Sequence, residues 1–227
     1  LNEVMNGHEL VRRGDPTLIQ GNTPLLFLNK LQKTAYTLNT FIVETAEVLL
    51  DWGYRVGKFL PIVELPMPTK PWDIAENEEA RHQYRRAAAE VMNKNAASFK
   101  RSCRTRMTMN TVRIFKEKDK FFLPWSFDYR GRTYPIPSFL TPQDTDFGKS
   151  LLKFADPAPM NKDAEYWLAF QVATTYGLDK ATMKERQEWV ATNHELISRV
   201  SNDPLMHLSD WEIAEEPWQQ RTNQLLN

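Results

Sequence analysis

Just past the middle of the 227-residue chain runs the stretch Phe127-Asp128-Tyr129-Arg130-Gly131-Arg132-Thr133-Tyr134-Pro135, which combines one acid, two arginines, two tyrosines and a glycine. Guanidinium groups can make bidentate contacts to phosphate, and glycine lets a backbone approach a ligand closely. A surface loop can have the same composition by chance, but the stretch is also typical of a contact with a sugar-phosphate chain.

Each side chain of this motif has a predicted role. Residues two apart in an extended segment point the same way, so we expect Arg130 and Arg132 to face one nucleic-acid backbone. We expect Asp128 to hold an arginine in place or to accept a hydrogen bond from a ribose hydroxyl. Tyr129 and Tyr134 can pack on a sugar or stack on a base. The motif contains no group that would make or break a bond.

The net charge is zero, but two segments carry opposite charges. From Arg81 to Lys116 there are ten Lys and Arg and one acid, which gives a formal charge near +9. From Asp156 to Glu216 there are twelve acids and five bases, which gives a charge near −7. Because the distribution of charge says more about partners than the total does, the basic segment favours a nucleic-acid partner.

The basic segment coincides with a predicted helix from about Glu78 to about Lys116. On a helical wheel, apolar and basic residues fall on opposite sides. The apolar side is Tyr84, Ala88, Val91, Met92, Phe99 and Cys103, and the basic side is Arg86, Lys94, Lys100, Arg101 and Arg104. With almost no acids for i,i+4 pairs, the basic side repels itself unless an anion lies on it. We therefore predict nucleic-acid contacts at Lys94, Arg101 and Arg104, with a solvated face as the alternative.

Apolar residues spaced alternately by three and four predict another long helix ahead of the basic one. It would begin at Thr23 as N-cap, end at Gly53 and bury one stripe from Leu28 to Leu49. Four prolines in residues 54–73 then exclude a helix and favour an extended connection.

Downstream of the basic helix, the sequence predicts short elements. Residues 121–125 are typical of a buried strand, and a short helix is predicted from Asp146 to about Ala155. Further helices are predicted to begin at Asn161, at the capping box Thr182–Glu185 with an end at Asn202, and at Pro217. The fold class is therefore mainly α with a few short β-strands.

Composition argues against several kinds of site. The single cysteine, Cys103, excludes an internal disulfide framework, and the four histidines are scattered without ligand spacing. No glycine-rich phosphate loop occurs. Asp128, Asp144 and Asp146 could in principle bind Mg²⁺, but capping and ion pairing explain them as well. We predict no catalytic and no metal-binding residue, and no apolar run long enough for a membrane span.

The central motif resembles the D-x-x-G-R motif of the phage-type, single-subunit DNA-directed RNA polymerases, a family that includes the mitochondrial enzymes. Shorter matches before and after it fall in the family's order. They include Lys33-Thr34-Ala35-Tyr36, Glu64-Leu65-Pro66-Met67, Arg86-Ala87-Ala88-Ala89, Phe122-Leu123-Pro124, Pro142-Gln143-Asp144, Tyr166-Trp167-Leu168, Gly177-Leu178-Asp179-Lys180 and Asn193-His194-Glu195. The resemblance covers residues 25–220.

This resemblance implies part of a right-hand polymerase fold. Residues 1–24 would be a remnant of the N-terminal domain or a linker, residues 25–118 the long-helix thumb region, and residues 119–227 the truncated beginning of the palm. In the family, the thumb grips the RNA–DNA hybrid, and the D-x-x-G-R motif contacts template and hybrid near the active site.

Carried over by position, the resemblance assigns nucleic-acid contacts to Asp128, Arg130, Gly131, Arg132 and Tyr134, and makes Arg101 a thumb contact. The family's catalytic stretches, D-x-x-S-G, R-x-x-x-K followed by Y-G, and H-D-S, do not occur in this sequence. The parent enzyme would join ribonucleoside triphosphates on a DNA template with Mg²⁺, whereas this chain, which begins without Met and suggests a fragment, should be inactive and bind no metal.

Source and partners follow from the resemblance in the same way. Glu64–Met67 resembles the phage branch, which implies a monomeric enzyme in the cytoplasm of a bacterial host, without a membrane partner. Arg132–Pro135 resembles the mitochondrial branch, so a mitochondrial location is the alternative. Two other functions remain open: a stand-alone helical nucleic-acid-binding module, and a helical scaffold without a nucleic-acid role.

Overall fold

The computed structural model describes residues 22–128 and 130–224. Tyr129 and residues 1–21, which hold most of the predicted N-terminal remnant, lie outside the described residues. The described part is 55% helical with a few short antiparallel strands, which confirms the predicted fold class. Its helices are α1 Asn22–Gln32, α2 Thr40–Asp51, α3 Glu78–Phe115, α4 Asp146–Ser150, α5 Lys162–Tyr176, α6 Met183–Thr192, α7 His194–Asn202, α8 Leu208–Trp211 and α9 Pro217–Gln224. Its strands are β1 Ala35–Leu38, β2 Phe121–Phe122, β3 Trp125–Phe127, β4 Thr133–Pro135 and β5 Leu152–Phe154.

The first long helix was predicted wrongly, because β1 separates α1 from α2. This strand is the centre of an antiparallel sheet in the order β2-β1-β5, in which Tyr36 pairs with Phe121 on one side and with Phe154 on the other. The Tyr36 and Phe154 rings stack with centroids 5.6 Å apart. Aromatic and β-branched residues fit such a surface, and the partner strands lie far away in the sequence, where a local periodicity does not show them.

The same sheet corrects the helix predicted from Asp146 to Ala155. The helix ends at Ser150, and the residues after Leu151 form β5 against β1. Its N-cap is Thr145, whose hydroxyl accepts from the backbone N–H of Gly148, and not Asp146.

The long basic helix is confirmed as α3, with Asn77 as its N-cap. The predicted apolar side is wrong in part, because Met92, Phe99 and Cys103 are exposed. The buried residues are Ser102, Thr105, Thr108, Met109 and Val112.

Polar side chains of α3 bind the backbone of the proline-rich connection, which forms no helix, as predicted. Leu65 donates its N–H to Asn95 Oδ1 at 2.8 Å and accepts from Asn95 Nδ2 at 2.9 Å. Ser98 and Thr105 accept from backbone N–H groups of the same connection. The connection therefore runs along α3 as an extended strap.

The C-terminal helices begin where the caps predict. Asn161 caps α5, Thr182 and Glu185 form the capping box of α6, and α9 begins at Pro217. The predicted continuous helix to Asn202 is interrupted at Asn193, whose side chain and backbone N–H both donate to the carbonyl of Trp189, at 2.8 and 3.0 Å.

One hydrophobic cluster joins elements from both ends of the described chain, from Leu28 to Trp218. Phe59, Phe147 and Trp218 contact each other with ring centroids 4.7 to 4.9 Å apart. The cluster thus crosses the predicted thumb–palm boundary after residue 118, and the division at that residue stays a prediction.

Candidate nucleic-acid interface

The central motif forms the tip of a β-hairpin. Strands β3 and β4 pair antiparallel, with Phe127 opposite Thr133 and Ser126 opposite Tyr134. The expected extended arrangement is therefore wrong for Arg130 and Arg132, because the chain reverses between them. Gly131 has a φ of 78°, a left-handed conformation that suits glycine.

The carboxylate of Asp128 organises this tip. Its Oδ1 accepts from the backbone N–H groups of Arg130 and Arg132, both at 2.9 Å, and its Oδ2 accepts from Arg130 Nε at 3.3 Å. The N–H of Arg132, followed by the N–H and guanidinium of Arg130, lowers the pKa of Asp128 below its ordinary value of 3.8. Asp128 therefore fixes the backbone of both arginines as an anion.

Two arginines and a tyrosine project from the fixed hairpin tip. Both Arg130 and Arg132 are exposed, and Tyr134 on β4 is 41% exposed. Tyr129 lies outside the described residues. The tip thus presents cationic groups and one ring to solvent on a backbone held by Asp128.

The predicted contacts on α3 have three different environments. Lys94 forms an exposed pair with Glu90 at 2.7 Å, an i,i+4 pair that the charge argument underestimated. Arg101 donates to the carbonyl of Ala97 at 3.3 Å and lines a cavity of about 210 Å³. Arg55 lines the same cavity, and no local sequence signal marked it as a neighbour of Arg101.

Arg104 connects α3 to the loop that follows β4. Its guanidinium pairs with the buried carboxylate of Asp144 and lies 5.5 Å from the ring centroid of Phe139. Within that loop, Gln143 Nε2 donates to the carbonyl of Thr133 at 3.1 Å. A chain of contacts thus links the basic helix to the base of the hairpin.

The carboxylates of Asp144 and Asp146 accept hydrogen bonds from other groups of the protein. Asp144 Oδ2 accepts from the N–H of Leu140 at 2.9 Å, and Asp146 accepts from the N–H groups of Trp218 and Gln219 at the start of α9, both at 2.9 Å. Burial raises the pKa of Asp146 although these hydrogen bonds oppose the shift. Among the residues that the structure describes, no three His, Cys, Asp or Glu side chains are grouped to hold a metal ion.

None of the helices in the described ranges is long and apolar enough to cross a membrane.

Comparison with known proteins adds an independent observation. A family model described as DNA-dependent RNA polymerase matches residues 158–222. T7 RNA polymerase of Escherichia phage T7 is 32% identical over 179 residues, which are 78% of this chain and 20% of the phage protein. The DNA-directed RNA polymerase of Enterobacteria phage K11 is 31% identical with the same coverage.

A mitochondrial DNA-directed RNA polymerase from Neurospora crassa is 28% identical over 193 residues, which are 85% of this chain and 13% of that protein. The chain thus spans between 13% and 20% of the length of these relatives. The chain belongs to the phage-type, single-subunit DNA-directed RNA polymerase family.

Proposed function

We propose that this chain is the part of a DNA-directed RNA polymerase that grips the DNA template and the RNA–DNA hybrid. The observation that carries the proposal is the hairpin tip, where Asp128 fixes the backbone of two exposed arginines. A preorganised pair of cations binds phosphates with less loss of conformational entropy than a mobile pair. We assign template and hybrid contacts to Asp128, Arg130, Gly131, Arg132 and Tyr134.

The basic helix supplies a second contact surface in this proposal. Lys94 and Arg101 are exposed on α3, and an exposed ion pair such as Lys94–Glu90 is weak enough to be exchanged for a phosphate. Arg104 is expected to act differently, because its pairing with Asp144 fixes α3 relative to the hairpin. Residues 25–118 would form the thumb and residues 119–227 the start of the palm.

Nucleotide addition is assigned to residues outside this chain. The parent enzyme would join ribonucleoside triphosphates with Mg²⁺, but the three aspartates considered for metal binding are engaged in the hairpin turn, in the pair with Arg104 and at the start of α9. They do not fit a metal site. We infer that the chain alone binds nucleic acid without extending it.

The phage branch is our proposal for the source, with action as a monomer in the bacterial cytoplasm. It is supported by identities of 32% and 31% to the enzymes of phages T7 and K11, while the enzymes of phage T3 and of Neurospora crassa are both 28% identical. The small difference keeps a mitochondrial enzyme as the alternative.

Fluorescence anisotropy with a labelled RNA–DNA hybrid tests the proposal. The wild-type chain should bind the hybrid, and its affinity should fall as the KCl concentration rises. In a plot of log affinity against log KCl concentration, Arg132→Gln should make the slope less steep by about one. Arg101→Gln should act similarly. Lys184→Gln is the matched control, because Lys184 is exposed in the acidic part of the chain. Equal hybrid affinity for Arg132→Gln, Arg101→Gln and wild type would contradict the proposed interface.

The same substitutions in the full-length polymerase separate this proposal from a stand-alone binding module. We expect Arg132→Gln to reduce transcript extension on a primed template. Unchanged extension together with weakened hybrid binding by the isolated chain would favour the module.

A further inference from the structure

The aromatic side chain of Phe27 on α1 lies at the surface beside the hairpin. It is 49% exposed, and its neighbour Leu26 is 67% exposed. The ring of Phe27 stacks on the ring of Phe127, with centroids 6.4 Å apart and planes inclined by 23°. Scattered apolar residues are normal on a protein surface, so the meaning of this pair depends on its position and on the charges around it.

Two contacts fix the position of α1 along strand β3. At the end of the helix, Gln32 Oε1 accepts from the backbone N–H of Trp125 at 3.2 Å, and five residues earlier Phe27 contacts Phe127. Five helical residues advance about 7.5 Å and two strand residues about 6.6 Å, so the two elements run side by side. The N-terminal half of α1 therefore lies toward the hairpin turn, and Phe27 is level with the residue that precedes Asp128.

Cationic residues lie on both sides of Phe27 along this direction. The only charged residue of α1 is Lys30, which is exposed and neighbours Phe27 on the helix surface at a spacing of i,i+3. Toward the turn lie the exposed residues Arg130 and Arg132. The acid of the turn, Asp128, is engaged by the backbone N–H groups of both arginines. An aromatic ring flanked by cations suits a nucleotide, whose base can stack on the ring while phosphates bind the cations.

We propose that Phe27 stacks on an unpaired base of a strand whose phosphates bind the hairpin arginines, with Lys30 on a neighbouring phosphate. This inference rests on the proposed function, because the hairpin arginines bring the strand to Phe27. Bases inside a duplex are stacked on one another, so the ring is available only to a base outside the hybrid. Every base has a π-face, so the contact adds affinity without sequence preference.

Fluorescence anisotropy of the 227-residue chain with three labelled ligands tests the stacking. The ligands are a blunt RNA–DNA hybrid and the same hybrid with a short single-stranded extension of either the DNA or the RNA strand. At least one extended hybrid should bind about fivefold or more tightly than the blunt one, which corresponds to one base stacked on an aromatic side chain. The strand whose extension adds the affinity identifies the source of the base.

Substitutions of Phe27 separate the ring from its apolar volume. Phe27→Leu should lose most of the affinity gained from the extension, whereas Phe27→Tyr should keep it. Both variants should bind the blunt hybrid like the wild type, which also shows that they are folded. Phe154→Leu is the matched control, because Phe154 is 68% exposed and stacks on Tyr36 but lies in the other sheet. It should keep the full gain.

Two results would overturn the stacking while the proposed hybrid grip stands. One is an equal gain from the extension in Phe27→Leu and wild type. The other is a wild-type chain that binds the blunt hybrid but gains nothing from either extension, which would leave the apolar surface of Phe27 and Leu26 to another part of the polymerase. Failure of the wild type to bind the blunt hybrid would instead contradict the proposed grip, so the two failures are distinguishable.

Discussion

Arg104 on α3 and Asp144 in the loop after β4 form an ion pair in which the carboxylate is fully buried and the guanidinium is half exposed. The carboxylate also accepts from the N–H of Leu140 at 2.9 Å and of Thr145 at 2.6 Å. Asp144 therefore holds its own loop and the long helix together. Because the loop also contacts β4, the pair sets the position of the basic helix relative to the hairpin.

Replacement of Arg104 by Met should lower the free energy of unfolding by about 1–3 kcal/mol, because Asp144 stays buried and loses its cation while keeping backbone donors. Urea denaturation of the chain measures this. Lys184→Met is the control, since its pair with Glu188 is exposed, and it should change stability by less than about 0.5 kcal/mol. Equal effects of the two substitutions would contradict a structural role for Arg104.

Gly148 has no side chain and so leaves space for the carboxylate of Asp144. Gly148→Ala should therefore disturb the ion pair between Arg104 and Asp144. A Cβ at position 148 would lie 2.3 Å from Cγ of Asp144, which is too close for two carbon atoms that are not bonded to each other. We expect a loss of about 1–3 kcal/mol in the free energy of unfolding. In an Asp144→Gly background, which also removes the Cβ that would lie at 2.6 Å, the same substitution should cost much less. Equal costs in both backgrounds, measured by denaturant titration, would contradict the steric explanation.

Burial and hydrogen bonding have opposite effects on the charged carboxylate of Asp146, which binds the start of α9. Asp146→Ala should lower the free energy of unfolding by about 0.5–2 kcal/mol, because the N–H groups of Trp218 and Gln219 lose their acceptor. Asp146→Asn keeps an acceptor oxygen without the charge, so its loss should be smaller. Denaturation of both variants at pH 7 measures the difference.

The contribution of Asp146 to the free energy of unfolding should change with pH in a defined direction. Its folded-state pKa is raised above 3.8, so the stabilisation from the protonated form is fully present below about pH 3.8 and is lost as pH rises through the folded-state pKa. The stability of Asp146→Asn relative to wild type should therefore improve as pH rises above 3.8. A constant difference across this range would show that the charge of Asp146 does not oppose folding.

Asn95 should be needed to hold the strap of residues 60–65 against α3. This side chain bonds both the N–H and the carbonyl of Leu65, so Asn95→Ala leaves two backbone groups without their partner. We expect faster amide hydrogen exchange at Leu65 and a loss of about 1 kcal/mol in the free energy of unfolding. Asn95→Asp keeps the acceptor only and should be intermediate. Unchanged exchange in Asn95→Ala would contradict the strap.

Local signals in the sequence predict some of the helix starts, because a cap involves residues within one turn. Asn161 and the capping box at Thr182 lie where helices begin, whereas Thr23 and Asp146, the other predicted caps, lie inside their helices. The strand β1 could not be predicted in this way, since Tyr36 is paired by residues far along the chain. Its apolar spacing also fits a helix, so local periodicity alone predicted the wrong element.

The candidate site was predictable in composition but not in geometry. The motif identified Arg130 and Arg132, whereas the turn between them depends on hydrogen bonds to Asp128 that a sequence pattern does not show. The pairing of Arg104 with Asp144 joins residues 40 positions apart, so the charge of the helix alone could not distinguish a structural arginine from an exposed one.

The hairpin tip should lose its order when Asp128 is protonated. The folded-state pKa of Asp128 lies below 3.8, so the stabilisation is fully present above the unfolded pKa and is lost as pH falls through the folded-state pKa. NMR titration of the amide protons of Arg130 and Arg132 should therefore show a midpoint below pH 3.8.

Asp128→Ala should abolish this titration and weaken hybrid binding several-fold at pH 7, since the arginines lose their preorganised backbone. Asp128→Asn keeps one acceptor oxygen and should bind the hybrid with intermediate affinity. If Asp128→Ala bound the hybrid as tightly as wild type while both amides had lost their hydrogen bonds, the ordered turn would have no part in gripping nucleic acid.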